Sequence, residues 1–154
     1  MKKSIGLLFA ASLVVALAAG CNNNSNSNNP PGTGTNCGAP PKGFQVLYPR
    51  NGAPRVPPNQ AGAVYVAANP ALAVGNSYNF LPVTGAGSQP FTSTFATYSG
   101  PIPSPHVSPA PGSTIYITQF FYPIGPLQTV QLYWNDGGTG CTPNFIVSTF
   151  TTGQ

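Results

Sequence analysis

Turn-forming residues interrupt this chain so often that no helix of ordinary length fits after residue 37. The 154 residues include 19 prolines and 18 glycines, and proline inside a helix removes a backbone donor and clashes with the preceding turn. Between breakers such as Asn51-Gly52, Gly85-Ala86-Gly87, Pro111-Gly112 and Asp136-Gly137-Gly138 lie short runs rich in Val, Ile, Thr, Tyr and Phe. Strands are predicted at 44–49, 62–69, 77–85, 90–99, 113–124, 129–136 and 144–152. Several alternate. Val130, Leu132 and Trp134 share one face and Gln131, Tyr133 and Asn135 the other, while Ile115, Ile117 and Phe121 oppose Thr114, Tyr116 and Thr118. About seven short strands with regular turns predict an all-β sandwich.

Composition narrows what such a sandwich can do. Hydrophobic residues make up 41% of the chain, enough apolar surface for a core, whereas charged residues make up only 4%. Two of the positive charges are Lys2 and Lys3 at the N-terminus. The remainder, Lys42, Arg50 and Arg55 against the sole carboxylate Asp136, are scattered. Nucleic-acid binding needs clustered cations and is not expected. The pI near 9.2 reflects missing acids rather than a basic patch.

The N-terminal segment reads as an export signal. Met1-Lys2-Lys3 is positive, Ile5 to Ala19 is almost uninterruptedly apolar, and roughly 15 residues fall short of the ~20 of a membrane span. Leu17-Ala18-Ala19-Gly20-Cys21 resembles the lipobox of bacterial lipoproteins, with Ala18 standing where that family usually has Leu. The resemblance implies removal of residues 1–20, diacylglycerol on the Cys21 sulfur, and a palmitate-type acyl anchor in a membrane. The alternative is an ordinary secretory signal cut near Ala19. Two acyl chains hold a protein stably where one holds it marginally. Residues 21–36 continue with "NNNSNSNNPPGTGTN", which has no apolar residue to bury and reads as a disordered tether. Asn22 after the cysteine resembles the pattern that sorts lipoproteins to an outer membrane. The expected location is therefore the cell membrane or outer membrane, with the domain facing periplasm or cell surface.

The remaining residues, 37–154, form the expected domain. "LYPRNGAPRVPPNQAGAVYVAANPAL" (47–72) resembles the opening of bacterial immunoglobulin-like domains, and "CTPNFIVSTFTT" (141–152) their closing strand. The resemblance implies an Ig-like antiparallel β-sandwich serving adhesion, spacing or ligand display, with no catalytic residues. "GPIPSPHVSPAPG" (100–112) departs from that pattern and reads as an extended, polyproline-like crossing connector; the other reading is display of a peptide ligand.

Cys37 and Cys141 flank this domain, and in an exported protein an even pair reads as a disulfide. Free thiols or a metal site lacking further ligands are the alternatives. With one carboxylate, paired-acid hydrolysis is excluded. His106 sits in the proline-rich stretch and Asp136 in "WNDGG", where turn formation accounts for it. No cofactor, metal site or enzyme activity is expected. The expected function is a structural or adhesive envelope module on a lipid anchor; a further reading is a subunit of an envelope assembly that adds a strand to a neighbouring protein's sheet edge. A carbohydrate-binding lipoprotein is the alternative. That reading draws on Tyr116, Phe120, Tyr122, Tyr133 and Trp134, of which Tyr116 and Tyr133 are the expected exposed ligand-binding aromatics. Trp134 and Phe121 are expected in the core. Two exposed, coplanar rings would favour the glycan.

Overall fold

Alternation along a strand only becomes a buried face once a neighbour locks the register, and two sheets do this here. The structure, a computed structural model, describes residues 35–73, 77–137 and 140–154. The leader, Cys21 and the tether up to residue 34 lie outside the described residues. Strands β1 (Gln45–Tyr48), β3 (Ala63–Ala68), β7 (Thr114–Gln119) and β6 (Ala96–Thr97) pair in that order. Facing them are β2 (Ala53–Val56), β9 (Phe145–Thr152), β8 (Thr129–Asn135), β4 (Asn79–Thr84) and β5 (Gly87–Ser88), again in that order. Neighbours are antiparallel except β2 and β9, which run parallel. The protein is an all-β sandwich of four and five strands, without helix among the described residues.

The predicted strands at 44–49, 62–69, 77–85, 129–136 and 144–152 each enclose an observed one. Two strands were not anticipated: β2, within Ala53–Val56, and the short β5. The run at 113–124 ends as a strand at Gln119, and its last five residues belong to a loop. Within 90–99 only Ala96–Thr97 is strand, because this segment divides its bonds between the sheets. Thr92 and Phe95 donate to the carbonyls of Phe80 and Tyr78, while Ser93 and Tyr98 donate to those of Gln119 and Ile115. A continuous ladder to one neighbour is thereby lost, and one flank of the sandwich is laced shut instead.

Between the sheets lie Val64, Val66 and Ala68 from β3, Phe80 from β4, Val130, Leu132 and Trp134 from β8, and Phe150 from β9. Trp134 has no exposed surface. Its ring lies 4.7 Å from Phe44 at 62°, 5.2 Å from Tyr78 nearly stacked, and within 6.4 Å of Phe80 and Phe95. Edge-to-face and offset contacts of this kind add to simple burial. The indole N–H meets no hydrogen-bond acceptor.

On β7 the alternation works opposite to expectation. Tyr116 is 7% exposed and Thr118 1%, while Ile115 and Ile117 are half-buried on the outer face. Register is the reason: Tyr116 pairs with inward Val66, and Ile117 with outward Tyr65. The tyrosine hydroxyl accepts the Leu72 backbone N–H at 2.9 Å, which satisfies its polar end inside the core. Both faces of this sheet are covered, so apolar residues occur on both. The cover is the proline-rich stretch, which leaves β6 at one edge and reaches β1 at the other, where Val107 N–H donates to the Leu47 carbonyl. Leu47 and Ala67 are fully buried without belonging to the inter-sheet core. The connector at 100–112 is a third layer.

Residues 33–154 form a compact unit that contains the whole core and both cysteines of the disulfide. This unit carries its own fold.

Candidate interaction surface

The strands run between two poles of different chemistry. At the first, the chain joins the domain. Thr35 and Asn36 already pair with Thr142, whose N–H donates to the Thr35 carbonyl at 3.0 Å. Cys37 and Cys141 form a disulfide spanning 104 residues. Asp136 accepts the Gly38 N–H at 2.7 Å. Asn135 donates to Asn79 Oδ1 at 2.8 Å and accepts from Gly137 N–H at 3.3 Å, closing the turn after β8. Gly43 is needed nearby: its φ is 87°, and a Cβ there would sit 2.3 Å from the Asn69 carbonyl oxygen. Asp136 thus does more than form a turn; it ties the start of the domain to the end of β8.

Cys37, Asp136 and Cys141 place three ligand-type atoms within 4.8 Å. The two sulfurs are consumed in the disulfide, so they offer no thiolate to a metal. His106 is not part of this group. It is exposed in the proline-rich layer, its Nδ1 3.2 Å from the Pro103 carbonyl. The structure does not bring His106 and Asp136 into a shared site.

The opposite pole is built by the turn after β2, the β4–β5 turn, the 120–128 loop between β7 and β8, and the end of β9. Bonds to Gly62 and to the end of β9 hold the 120–128 loop. Phe120 N–H donates to Gly62 O, Leu127 N–H to Gly153 O at 3.1 Å, Gln128 N–H to Thr152 Oγ1 at 2.8 Å, and Thr152 Oγ1 to Gly125 O at 2.7 Å. Ile124 plugs into the core at 6% exposure. On this fixed frame Phe121, Tyr122 and Leu127 are 66%, 62% and 63% exposed, the three most exposed large hydrophobic residues described. A cleft of about 500 Å³ opens beside Leu127, lined also by Arg55, Pro57, Gly153 and Gln154. Arg55 and Leu127 are the two described non-glycine residues with left-handed backbone, each at φ 55°. Such conformations cost energy and gather at functional positions. Arg55 is exposed and has no ion-pair partner among the described residues.

Of the aromatics expected for a ligand, Tyr116 is in the core, for the register reason given above. Tyr133 is half-buried on the outer face of the larger sheet, its hydroxyl 3.5 Å from Gln131. Phe121, expected in the core, protrudes, because β7 ends two residues before it. Among the described residues no ring contact joins Phe121, Tyr122 or Tyr133 to another ring, so no paired platform forms. Sequence reasoning missed Arg55 and Leu127 entirely; Leu127 beside Pro126 was the available signal. No family model, curated protein or solved structure matches this chain.

Proposed function

We propose that this chain is an exported, lipid-anchored envelope protein whose β-sandwich is a non-catalytic interaction or adhesion module of the immunoglobulin-like kind. One observation carries the interaction reading. The chain joins the domain at a pole pinned by the disulfide, and the exposed apolar residues stand at the other, so the interaction surface is turned away from the point of attachment. The "LAAGC" motif and the asparagine-rich stretch preceding Thr35 support anchoring at Cys21. Strand order supports the family reading. The β1-β3-β7-β6 sheet corresponds to A-B-E-D, and β9-β8-β4 in the other to G-F-C of an immunoglobulin-like sandwich. The disulfide differs from the family's bridge between B and F, since it joins the start of the domain to the β8–β9 connection. The inventory of ionisable side chains supports a non-catalytic role, because Asp136 is committed to Gly38 and is not grouped with His106.

Metabolic labelling with palmitate tests the anchor. The wild-type chain is expected to incorporate label and enter the detergent phase of a two-phase split, and Cys21→Ser to lose the label. A wild-type protein that stays aqueous and unlabelled refutes it.

A further inference from the structure

We propose that the disulfide pole is a redox-gated metal site. Once the bridge is reduced, Cys37, Cys141 and Asp136 hold a thiophilic divalent cation of the zinc class, with Asn135 Oδ1 at the fourth corner. The site goes beyond the interaction reading and depends neither on it nor on acylation of Cys21.

The oxidised bridge already carries the outline of a tetrahedral site. Cys37 Sγ lies 3.4 Å from Asn135 Oδ1, and Cys141 Sγ lies 3.6 Å from that oxygen and 3.4 Å from Asp136 Oδ1. Both sulfurs and the carboxylate fall within 4.8 Å of one another. Bonds of about 2.3 Å from zinc to sulfur and about 2.1 Å to oxygen give a tetrahedron whose sulfur–oxygen edges are about 3.6 Å. Three such edges are therefore present before any metal arrives. The remaining adjustment is between the sulfurs, which a tetrahedral site holds about 3.8 Å apart. Reduction frees them to make it.

Two features keep the ligands together when the sulfur–sulfur bond is gone. The first is backbone pairing: Cys37 N–H donates to Thr142 O and Thr142 N–H to Thr35 O, each at 3.0 Å, across the bridge between Asn36 and Thr142. The second is the fixing of each oxygen ligand from behind. Asp136 Oδ2 accepts the Gly38 N–H at 2.7 Å, and Asn135 Nδ2 donates to Asn79 Oδ1 at 2.8 Å, so in both residues Oδ1 is the atom turned to the sulfurs. Hydrogen bonds behind metal ligands orient them in this way and change affinity by about tenfold or more. Cys37 is buried while Asp136 and Cys141 are half-buried, which leaves the site open to an entering ion on one side.

The chemistry balances with a dithiol reductant, which passes two electrons and two protons to the bridge and leaves as its own disulfide. Metal binding then displaces both thiol protons to solvent. Two thiolates among four ligands select a zinc-type ion over magnesium or calcium, which take about six or more oxygens. The bound metal takes over the task of the bridge, tying the start of the domain to the β8–β9 connection in reducing surroundings.

The test uses the unit 33–154, reduced with a trialkylphosphine and titrated with cobalt(II) in the absence of oxygen. A single equivalent is expected to give a thiolate-to-cobalt charge-transfer band in the near ultraviolet and the strong visible bands of tetrahedral cobalt, both erased by zinc. The unreduced unit is expected to give neither. Asp136→Asn keeps the side chain's shape without its charge and is expected to weaken zinc about tenfold; Cys141→Ser is expected to weaken it about a hundredfold and to lower the charge-transfer intensity. Zinc should also raise the melting temperature of the reduced unit and leave that of the unreduced unit unchanged. Absence of the thiolate band, equal binding by the unreduced unit, or affinity that ignores Asp136 overturns the proposal. So does zinc that leaves the melting of the reduced unit where it was. None of those outcomes touches the anchor, which the palmitate label reads separately.

Discussion

The two poles of the sandwich use different residue types to different ends. At the disulfide pole, Asp136 and Asn135 accept from the Gly38 and Gly137 N–H groups, and Asn135 donates to Asn79. At the other pole, hydrogen bonds fix the frame of the 120–128 loop, while Phe121, Tyr122 and Leu127 on it face water. The seven residues of β8 place about 20 Å between them. The lesson is that stability and presentation are separated in space. The pole where the described chain enters the domain is the one that is stapled, and the opposite pole is hydrogen-bonded in its backbone with large apolar side chains exposed.

Substitutions should divide accordingly, and the largest effect belongs near the disulfide pole. Trp134→Ala empties the centre of the aromatic cluster and is expected to cost about 3–5 kcal/mol, read from urea or thermal unfolding. A variant that unfolds like the wild type would show that the cluster is not the core's keystone. Next comes the bridge. Replacing Cys37 and Cys141 together by serine is expected to cost about 2–4 kcal/mol, since a loop closed over 104 residues constrains the unfolded chain strongly. Non-reducing peptide mapping of the wild type should recover the linked pair; two free thiols would remove the staple from the comparison.

Smaller effects sharpen the picture. Asp136→Ala removes the acceptor for Gly38 N–H, at an exposed position, and is expected to cost about 1 kcal/mol or less. Asp136→Asn keeps an oxygen in place and should cost less than Asp136→Ala; the reverse order would mean that charge rather than geometry matters there. By contrast, serine at Phe121 or Leu127 should change stability by no more than about 0.5 kcal/mol. If these variants unfold early, the exposed pole is structural and the separation fails.

The sheet between the poles offers a pH test. Burial holds the Tyr48 hydroxyl above its ordinary value of 10.0, and burial, followed by the neighbouring Tyr98, does the same for Tyr65. A folded-state pKa above the unfolded one favours the protonated native form. That contribution is complete below the unfolded pKa and is lost as pH rises through the folded one. The melting temperature should therefore fall on alkaline titration above about pH 10, and Tyr65→Phe should reduce the fall. An unchanged slope in Tyr65→Phe would exclude that residue as a contributor.

Much of this was legible in the chain. Proline and glycine spacing excludes helices and marks most of the strands, because breakers act through local backbone geometry that needs no neighbour. Val130, Leu132 and Trp134 were readable as a buried face, since β8 is central in its sheet and has a single covered side. Cys37 and Cys141 were readable as a pair from their number and the expectation of export. Other features were decided only by tertiary structure. Tyr116 points inward because its partner across the ladder is Val66, and side-chain parity on a strand is set by register, a relation between distant segments. The outer face of β7 is apolar because the proline-rich segment returns over it as far as Leu47, which no local pattern encodes. Phe121 looks like core in any window of sequence. It is exposed because β7 stops at Gln119, where Phe120 bonds to Gly62 and the chain turns to meet the end of β9. Composition and punctuation determine which segments become strands; only the pairing of those strands determines which side chains remain to touch anything else.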